Sequence, residues 1–356
     1  MSKPGLGILE KFSAHLDFIK KDTRIISLNE GDTPLIKLDN LSNKLKTNLE
    51  IYAKFEGLNP TGSFKDRGMT AAVTQAVQEG ATSIICASTG NTSASAAAYA
   101  ARAGIRAYVL IPEGKIAAGK LAQAIVYGAK LIQIRGNFDD AMSMVKQIAD
   151  TMPITLVNSV NPYRLQGQKT AAFELVEELG GSPDYHCLPV GNAGNISAYW
   201  MGYTEYLALG KSEKTPIMCG YQASGAAPFL KGEPIKDPET LATAIRIGNP
   251  QSWDLAVKAI KESNGHFKAH SDEKIIQAQQ LLASTEGIFC EPASAISIAG
   301  LIQDIQEGFI KSGSRVVCTL TGNGLKDTDT ATKFIELEPL LINADIKELA
   351  QALSNI

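Results

Sequence analysis

From about residue 50 onward, short apolar runs alternate with stretches of helical length, and this alternation limits the possible folds more than any other feature. The runs that predict strands are SIICA (83–87), AYVLI (107–111), LIQI (131–134), TLV (155–157), YHCLPV (185–190), IMCGY (217–221) and RVVCTL (315–320). Alanine-rich or amphipathic segments lie between them, and many end in glycine, a common helix stop. Strands that alternate with helices form parallel sheets with helices on both faces.

The chain of 356 residues is long enough for one large or two ordinary domains. Strand-and-helix units fill residues 60 to 155, and a second set follows. We therefore predict an α/β fold of two lobes, each an open, mostly parallel, twisted sheet flanked by helices. We assign residues 1–58 and 157–356 to a large domain and residues 59–156 to a small mobile domain. Ligands of such sheets bind at the carboxyl ends of strands, so the turns after strands are where a site is expected.

Composition excludes several classes of protein. The net charge of −3 gives no bulk attraction to nucleic acid or to an anionic membrane. The N-terminus has scattered charges and resembles no secretory signal, and no apolar run approaches the roughly 20 residues that span a bilayer. The odd number of scattered cysteines, without CxxC, argues against a disulfide framework or a zinc cage and favours buried thiols in a cytoplasmic protein. They are Cys86, Cys187, Cys219, Cys290 and Cys318.

Three turns after predicted strands are suited to anions. The first, STGNTS at 88–93, opens a helix and offers polar groups around a glycine, because free N–H groups at a helix start attract anions. Its polar side chains belong to Ser88, Thr89, Asn91 and Thr92. An ordinary helix cap with spare hydroxyl groups is the alternative.

The second turn, GNAGN at 191–195, follows YHCLPV and precedes another helix. Its glycines let the backbone approach a ligand closely, and oriented N–H groups could hold a phosphate. The residues concerned are Gly191, Asn192, Ala193, Gly194 and Asn195. The spacing is not the dinucleotide motif GxGxxG, and a tight turn without a ligand is the alternative.

The third turn, NSVNPYRLQGQKT at 158–170, follows TLV. Asn158, Ser159 and Arg164 could converge on a second anion, and the guanidinium could bind two oxygens at once. A solvated arginine at a helix start is an equally good interpretation.

Two other patterns carry less weight. GKIAAGKL at 114–121 has P-loop spacing, but Leu121 stands where Ser or Thr would hold Mg²⁺. His266 and His270 are four residues apart, yet NGHFKAHSDE predicts a loop and a short strand rather than one helix face, so we expect no metal site. The GxSxG and HExxH motifs are absent from the sequence.

Lys65 lies in the small-residue stretch PTGSFKDRG, directly after a predicted turn. A free lysine has a pKa near 10.4, and it becomes a nucleophile when it is desolvated or meets a carbonyl cofactor. A lysine of this kind together with a phosphate-binding turn and no nucleotide motif suggests pyridoxal 5′-phosphate.

The segments PTGSFKDRG, STGNTS, GNAGN and TLTGNGLKD, in this order, resemble the threonine synthase family of fold-type II pyridoxal-phosphate enzymes, in its short form. The resemblance runs from GDTPL at residue 31 to about residue 340. It implies that Lys65 holds the cofactor covalently, that Asn91 bonds its phenolic oxygen, that residues 191–195 hold its phosphate, and that Thr321 meets its ring nitrogen. It also implies a homodimer with the cofactor in the cleft between the lobes. One departure is Thr328, where the family frequently has proline.

The resemblance further implies a reaction: O-phospho-L-homoserine and water give L-threonine and phosphate by β,γ-elimination and replacement. Lys65 would act as general base at Cα and Cβ. Ser88, Thr89, Asn91 and Thr92 would hold the substrate carboxylate. The leaving phosphate would be surrounded, together with Lys65, by Thr92, Asn158, Ser159, Arg164 and Asn192.

Two other functions compete with this interpretation. A serine or threonine dehydratase of the same fold would have a similar lysine, but such enzymes tend to have histidine where Thr92 follows Asn91, and a more glycine-rich phosphate turn. A cysteine-synthase-like enzyme fits less well, because its lysine stretch differs. A catalytically silent protein that binds a phosphorylated ligand would lack the absorbance of a lysine-bound cofactor.

Overall fold

The computed structural model describes residues 6–114, 118–334 and 339–354. The described strands are β1 Leu35–Lys37, β2 Glu50–Phe55, β3 Ser83–Ala87, β4 Arg106–Pro112, β5 Lys130–Ile134, β6 Thr155–Leu156, β7 Tyr185–Pro189, β8 Ile217–Ala223, β9 His266–His270 and β10 Arg315–Leu320. The described helices are α1 Ile8–Lys11, α2 Asp39–Lys44, α3 Lys65–Gln78, α4 Asn91–Ala103, α5 Ala118–Val126, α6 Phe138–Thr151, α7 Pro162–Leu179, α8 Gly194–Ala208, α9 Pro228–Lys231, α10 Trp253–Glu262, α11 Asp272–Glu286, α12 Pro292–Gln306, α13 Thr328–Thr332 and α14 Ile346–Ser354.

The strands form two sheets. The larger has the order β1-β2-β10-β7-β8-β9, in which only the β1–β2 pair is antiparallel among the described pairs. The smaller has the order β5-β4-β3-β6 and is parallel throughout. The predicted α/β fold with two mostly parallel sheets and flanking helices is confirmed. The smaller sheet lies within residues 59–156, and the domain boundaries themselves stay predictions.

The apolar runs correctly located most of the parallel strands, but they missed β2, which lies between β1 and β10. Its sequence EIYAKF contains two charged residues and does not form an apolar run. Lys54 is nevertheless fully buried, because its amine donates to the Thr33 carbonyl at 2.7 Å and pairs with Glu174 at 3.0 Å. Strand β2 was therefore missed because the charge of Lys54, which is neutralised inside the protein, interrupts the apolar run. Of the P-loop-like stretch, residues 115–117 lie outside the described part, and Leu121 is buried on α5.

Helix α7 packs closely against both α3 and α8, and glycines make this approach possible. A Cβ on Gly167 would lie 1.9 Å from the Arg67 carbonyl oxygen, and one on Gly202 would lie 2.4 Å from the Lys169 carbonyl oxygen. Any side chain at either position would separate the helices. The helix that begins at Lys65 is therefore held directly against α7.

A buried ionic network connects β2, α3 and α7. The Arg67 guanidinium donates to Glu56 at 2.7 and 2.8 Å and to Glu174 at 2.7 and 2.6 Å. These side chains are almost wholly excluded from solvent. The charges of Arg67 and Lys54 hold the pKa of the Glu174 carboxyl well below its usual range, against the opposing effect of burial. In the described part of the chain, no helix has both the length and the apolar character needed to cross a membrane.

Replacing Glu174 with glutamine should lower the free energy of unfolding by about 3–5 kcal/mol, because buried Arg67 and Lys54 lose a shared counter-charge. The Glu174 contribution is present above the unfolded pKa of about 4.3 and is lost as the pH falls towards the lower folded value. The variant should therefore lose less stability than the wild type on acidification. Urea denaturation at several pH values measures both effects.

Glu233→Gln is the matched control, because Glu233 pairs with Lys231 at 2.8 Å while both side chains are exposed. Its urea midpoint should equal that of the wild type. Equal midpoints for the two variants would show that the buried network is not a major source of stability.

Candidate active site

The turns after β7 and β10 lie side by side, since these strands are neighbours in the larger sheet. Thr321 directly follows β10, and GNAGN begins one residue after Val190, which follows β7. The turn before α3 joins them: the Phe64 amide donates to the Thr321 carbonyl at 3.0 Å, and Ser63 forms a β-bridge with Gly322. Chain segments separated by about 250 residues in sequence thus place Lys65 beside Thr321.

Lys65 is the first residue of α3, and its amine is desolvated although the side chain is partly exposed. Burial of the amine lowers its pKa to about 7, with a further lowering by the positive charge of Arg164 and an opposing effect of Glu291. Its Nζ lies 4.2 Å from the centre of the Phe64 ring. A lysine with this pKa is partly neutral at neutral pH and can act as a nucleophile or base.

Arg164 is buried on α7, with 1% of its surface exposed. Its Nη1 donates to the Val157 carbonyl at 3.1 Å, but Nε has no hydrogen-bond partner and no acid pairs with the guanidinium among the described residues. Burial lowers the pKa of Arg164 to about 10. A buried cation beside a second basic group is a site prepared for an anion.

The GNAGN turn is also shaped to hold a ligand. Ala193 has a φ of 63° and precedes α8, and the Asn192 carbonyl accepts from the Ser252 amide at 3.1 Å. A Cβ on Gly191 would lie 3.0 Å from Ile245 Cα, so the backbone here tolerates no larger residue without a shift. The Asn195 side-chain amide nitrogen is buried and has no hydrogen-bond partner within the described ranges. An unpaired donor at the start of a helix fits the phosphate of pyridoxal 5′-phosphate.

The STGNTS turn connects the smaller sheet to this cleft. Asn91, the first residue of α4, is buried, and Ser88, Thr89 and Thr92 are half-buried. The Ser88 hydroxyl accepts from the Gly90 amide at 3.2 Å, which tightens the turn.

Both polar atoms of the Asn158 side chain already form hydrogen bonds within the protein. Its side-chain oxygen accepts from the Ala87 amide at 2.9 Å, and its side-chain nitrogen donates to the Ala87 carbonyl at 3.0 Å. Asn158 therefore fixes the end of β3 next to Ser88, while Ser159 beside it is half-buried.

Glu291 is a functional candidate that the sequence analysis missed. It is buried directly before α12, and its two carboxylate oxygens lie 3.2 and 3.1 Å from the Asn91 side-chain nitrogen, which donates to them. Burial raises the pKa of Glu291, whereas the Asn91 hydrogen bond and the charges of Lys326 and Lys65 oppose the shift. The only sequence signal was an acid before Pro292, a helix-start pattern that carries no indication of catalysis.

Ser294 is a second residue that the sequence did not reveal. Its hydroxyl oxygen accepts from the Gly322 amide at 2.9 Å and lies 2.8 Å from the Thr321 hydroxyl oxygen. Either hydroxyl can be the donor in this pair, and donation by Ser294 would leave the Thr321 proton for another acceptor. The contact with Ser294 holds the Thr321 hydroxyl at the carboxyl end of β10.

Comparison with known proteins agrees with this geometry. The family described as pyridoxal-phosphate dependent enzyme matches residues 26–322. The threonine synthase of Mycobacterium tuberculosis is 60% identical over 332 residues, which cover 93% of this chain and 91% of the relative. That of a Bacillus species is 54% identical over 350 residues, 98% of each chain.

The chain belongs to the threonine synthase family. Threonine deaminase isoform 2 from Solanum lycopersicum is a structural neighbour with a TM-score of 0.74 and 19% identity, covering 93% of this chain and 94% of the neighbour. At that identity the likeness shows the fold alone. The fold-type II architecture and the dependence on pyridoxal phosphate are therefore established for this member of the threonine synthase family, and the roles of individual side chains stay predictions.

In the cofactor-free protein, the rate of pyridoxal 5′-phosphate uptake should rise with pH around a midpoint of about 7, because only the neutral Lys65 amine reacts. Glu291→Gln should move this midpoint to lower pH, since the lost negative charge no longer favours the protonated amine. Stopped-flow absorbance of the bound cofactor measures the rate.

Glu273→Gln, an exposed acid on α11, is the control and should leave the midpoint unchanged. A wild-type midpoint near 10.4, the ordinary value for lysine, would contradict the desolvation of Lys65.

Proposed function

We propose that the chain is a threonine synthase that converts O-phospho-L-homoserine and water to L-threonine and phosphate. The observation that carries this proposal is the buried, uncompensated Arg164 close to a lysine of lowered pKa, in a chain up to 60% identical to threonine synthases. A substrate phosphate carries about −1.5 to −2 charges and would neutralise both basic groups. Dehydratases act on substrates without this phosphate and have no need of such an uncompensated pair.

The proposed cofactor site uses groups that the protein leaves available. Lys65 would hold the cofactor covalently, Asn91 would bond its phenolic oxygen, and Thr321 would donate to its ring nitrogen. Residues 191–195 would hold its phosphate. When bound, pyridoxal 5′-phosphate supplies an electron sink for negative charge that develops on the substrate. A neutral hydroxyl such as that of Thr321 leaves the ring a milder sink than an aspartate would.

The proposed chemistry depends on proton transfer by Lys65. With a pKa of about 7, its free amine can take a proton from the substrate and return one at neutral pH. Such positioned general acid–base catalysis contributes about 10²- to 10⁴-fold. Arg164 and Lys65 would stabilise the leaving phosphate, with Ser159, Asn192 and Thr92 around it, while Asn158 would orient the turn.

Ser88, Thr89, Asn91 and Thr92 would bind the substrate carboxylate at the N-terminus of α4, where free amides and the helix dipole favour an anion. The Asn91 side-chain nitrogen donates to the Glu291 carboxylate, and this contact fixes the position of Asn91. We also propose that residues 59–156 form a small mobile domain that closes on the substrate, and that the protein acts as a cytoplasmic homodimer, as the family resemblance implies.

The direct test is to supply O-phospho-L-homoserine to the holoenzyme and to measure inorganic phosphate and threonine. Equal amounts of both products are expected, and Lys65→Ala should abolish turnover and the absorbance of the lysine-bound cofactor. If serine or threonine gives an oxoacid while the phosphorylated substrate gives nothing, the dehydratase function is correct instead. A wild-type protein that cannot be loaded with the cofactor would instead support a catalytically silent protein that binds a phosphorylated ligand.

Arg164→Lys should reduce kcat/KM by about 10- to 150-fold, because a charged hydrogen bond contributes about 1.5–3 kcal/mol and the lysine cannot bind two oxygens at once. Steady-state phosphate release measures the change. Arg102→Lys is the matched control, since Arg102 is exposed on α4 and donates to the Ser27 carbonyl, and it should retain wild-type kinetics. Equal kinetics for the two variants would show that Arg164 does not bind the substrate phosphate.

A further inference from the structure

Soft ligand atoms form a row across the larger sheet. The strand register aligns Cys318 with Cys187, Cys187 with Cys219, and Cys219 with His266. Residues in register on parallel strands point to the same face of a sheet. Three thiols and an imidazole on β10, β7, β8 and β9 therefore lie side by side, and the thiols are wholly buried.

Helix α12 covers this row and adds a carboxylate to it. Asp304 on α12 is fully buried, and its Oδ2 lies 3.0 Å from His266 Nε2. The ligand atoms of Cys219, His266 and Asp304 all lie within 4.8 Å of one another. A tetrahedral ion with bonds of about 2.0–2.3 Å holds its ligand atoms roughly 3.3–3.8 Å apart. Small side-chain movements would therefore bring these three ligand atoms to bonding distance from one ion.

The imidazole of His266 has one close polar neighbour for its ring nitrogens in the described part of the chain. Its Nε2 lies 3.0 Å from Asp304 Oδ2 without good hydrogen-bond alignment, and its buried Nδ1 has no hydrogen-bond partner among the described residues. Buried polar atoms without partners are uncommon in proteins, and an unbound ligand is one of their explanations. An imidazole within 4.8 Å of a thiol and a carboxylate has the chemistry of a metal ligand.

The surrounding groups resemble the outer shell of a metal site. Asp304 Oδ1 accepts from Lys268 at 2.6 Å, and Oδ2 accepts from the Tyr221 hydroxyl at 2.6 Å. Lys268 also pairs with Glu307, which compensates its charge. The negative charges of Asp304 and a Cys219 thiolate then match a divalent cation, and hydrogen-bonded carboxylates are typical of metal ligands.

We propose that Cys219, His266 and Asp304 bind a zinc-like divalent cation. A set of sulfur, nitrogen and oxygen ligands in a closed site suits Zn²⁺ rather than Mg²⁺ or Ca²⁺. The site differs from the histidine pair considered in the sequence. His266 and His270 are both on β9, where four residues span about 13 Å, too far to share an ion.

The position of this site indicates a structural role. His266 begins β9, whereas the proposed catalytic groups follow the carboxyl ends of β7 and β10. An ion here would fasten the edge strand β9 to β8 and α12. Because the cation binds the thiolate form of Cys219, binding releases a proton to solvent and weakens as the pH falls.

The test is equilibrium binding of Zn²⁺ to the pyridoxal-phosphate holoenzyme in competition with a chromophoric chelator, followed by elemental analysis after desalting. The wild type should retain one Zn²⁺ per chain and should melt at a higher temperature with zinc than after chelation. Cys219→Ser and His266→Gln should each weaken binding by at least about 100-fold. Near-ultraviolet circular dichroism shows whether the variants keep the native fold.

His270→Gln is the matched control, because His270 lies on the same strand but outside the ligand set, and it should bind zinc as the wild type does. Cys86→Ser, a buried thiol of the smaller sheet, should also retain binding. His266→Gln at the sheet edge decides the outcome if Cys219→Ser does not fold. A wild type without stoichiometric zinc, or binding that His266→Gln leaves unchanged, would overturn the proposal.

Discussion

The buried guanidinium of Arg67 joins α3 to β2 and α7, and the position of the candidate active site depends on this connection. It binds Glu56 beside β2 and Glu174 on α7 with four short hydrogen bonds, and Glu174 also neutralises Lys54 on β2. Charges buried in this way are tolerated only when each has its partner, so the arrangement permits a single docking of α3. Lys65 precedes Arg67 by two residues, and its position in the cleft follows from that docking.

Two buried arginines show how structural and functional charges differ. Arg67 is surrounded by carboxylates, whereas Arg164 has a carbonyl contact and an unpaired Nε, and no acid pairs with it among the described residues. The guanidinium of Arg67 thus joins neighbouring elements, whereas the charge of Arg164 is not neutralised by an acid of the described residues. Besides burial, the positive charge of Arg164 lowers the pKa of Lys65, so these two buried basic groups are electrostatically linked.

Much of this architecture could be predicted from local patterns. Apolar runs located β3, β7 and β10 because strands buried on both faces need continuous apolar sequence. β2 was missed, because Lys54 is buried through a partner more than a hundred residues away. Glu291 was missed for a similar reason: an acid before a proline is common at helix starts, and its contact with Asn91 crosses between the two sheets.

The sequence by itself determined the fold class and the family, because these depend on periodicity and on short motifs whose residues are adjacent. Tertiary structure alone decided which charges are compensated, that Ser294 orients Thr321, and that three thiols align with His266. Those properties arise from strand register and helix docking. Both bring together residues whose spacing in the chain carries no information about their distance in space.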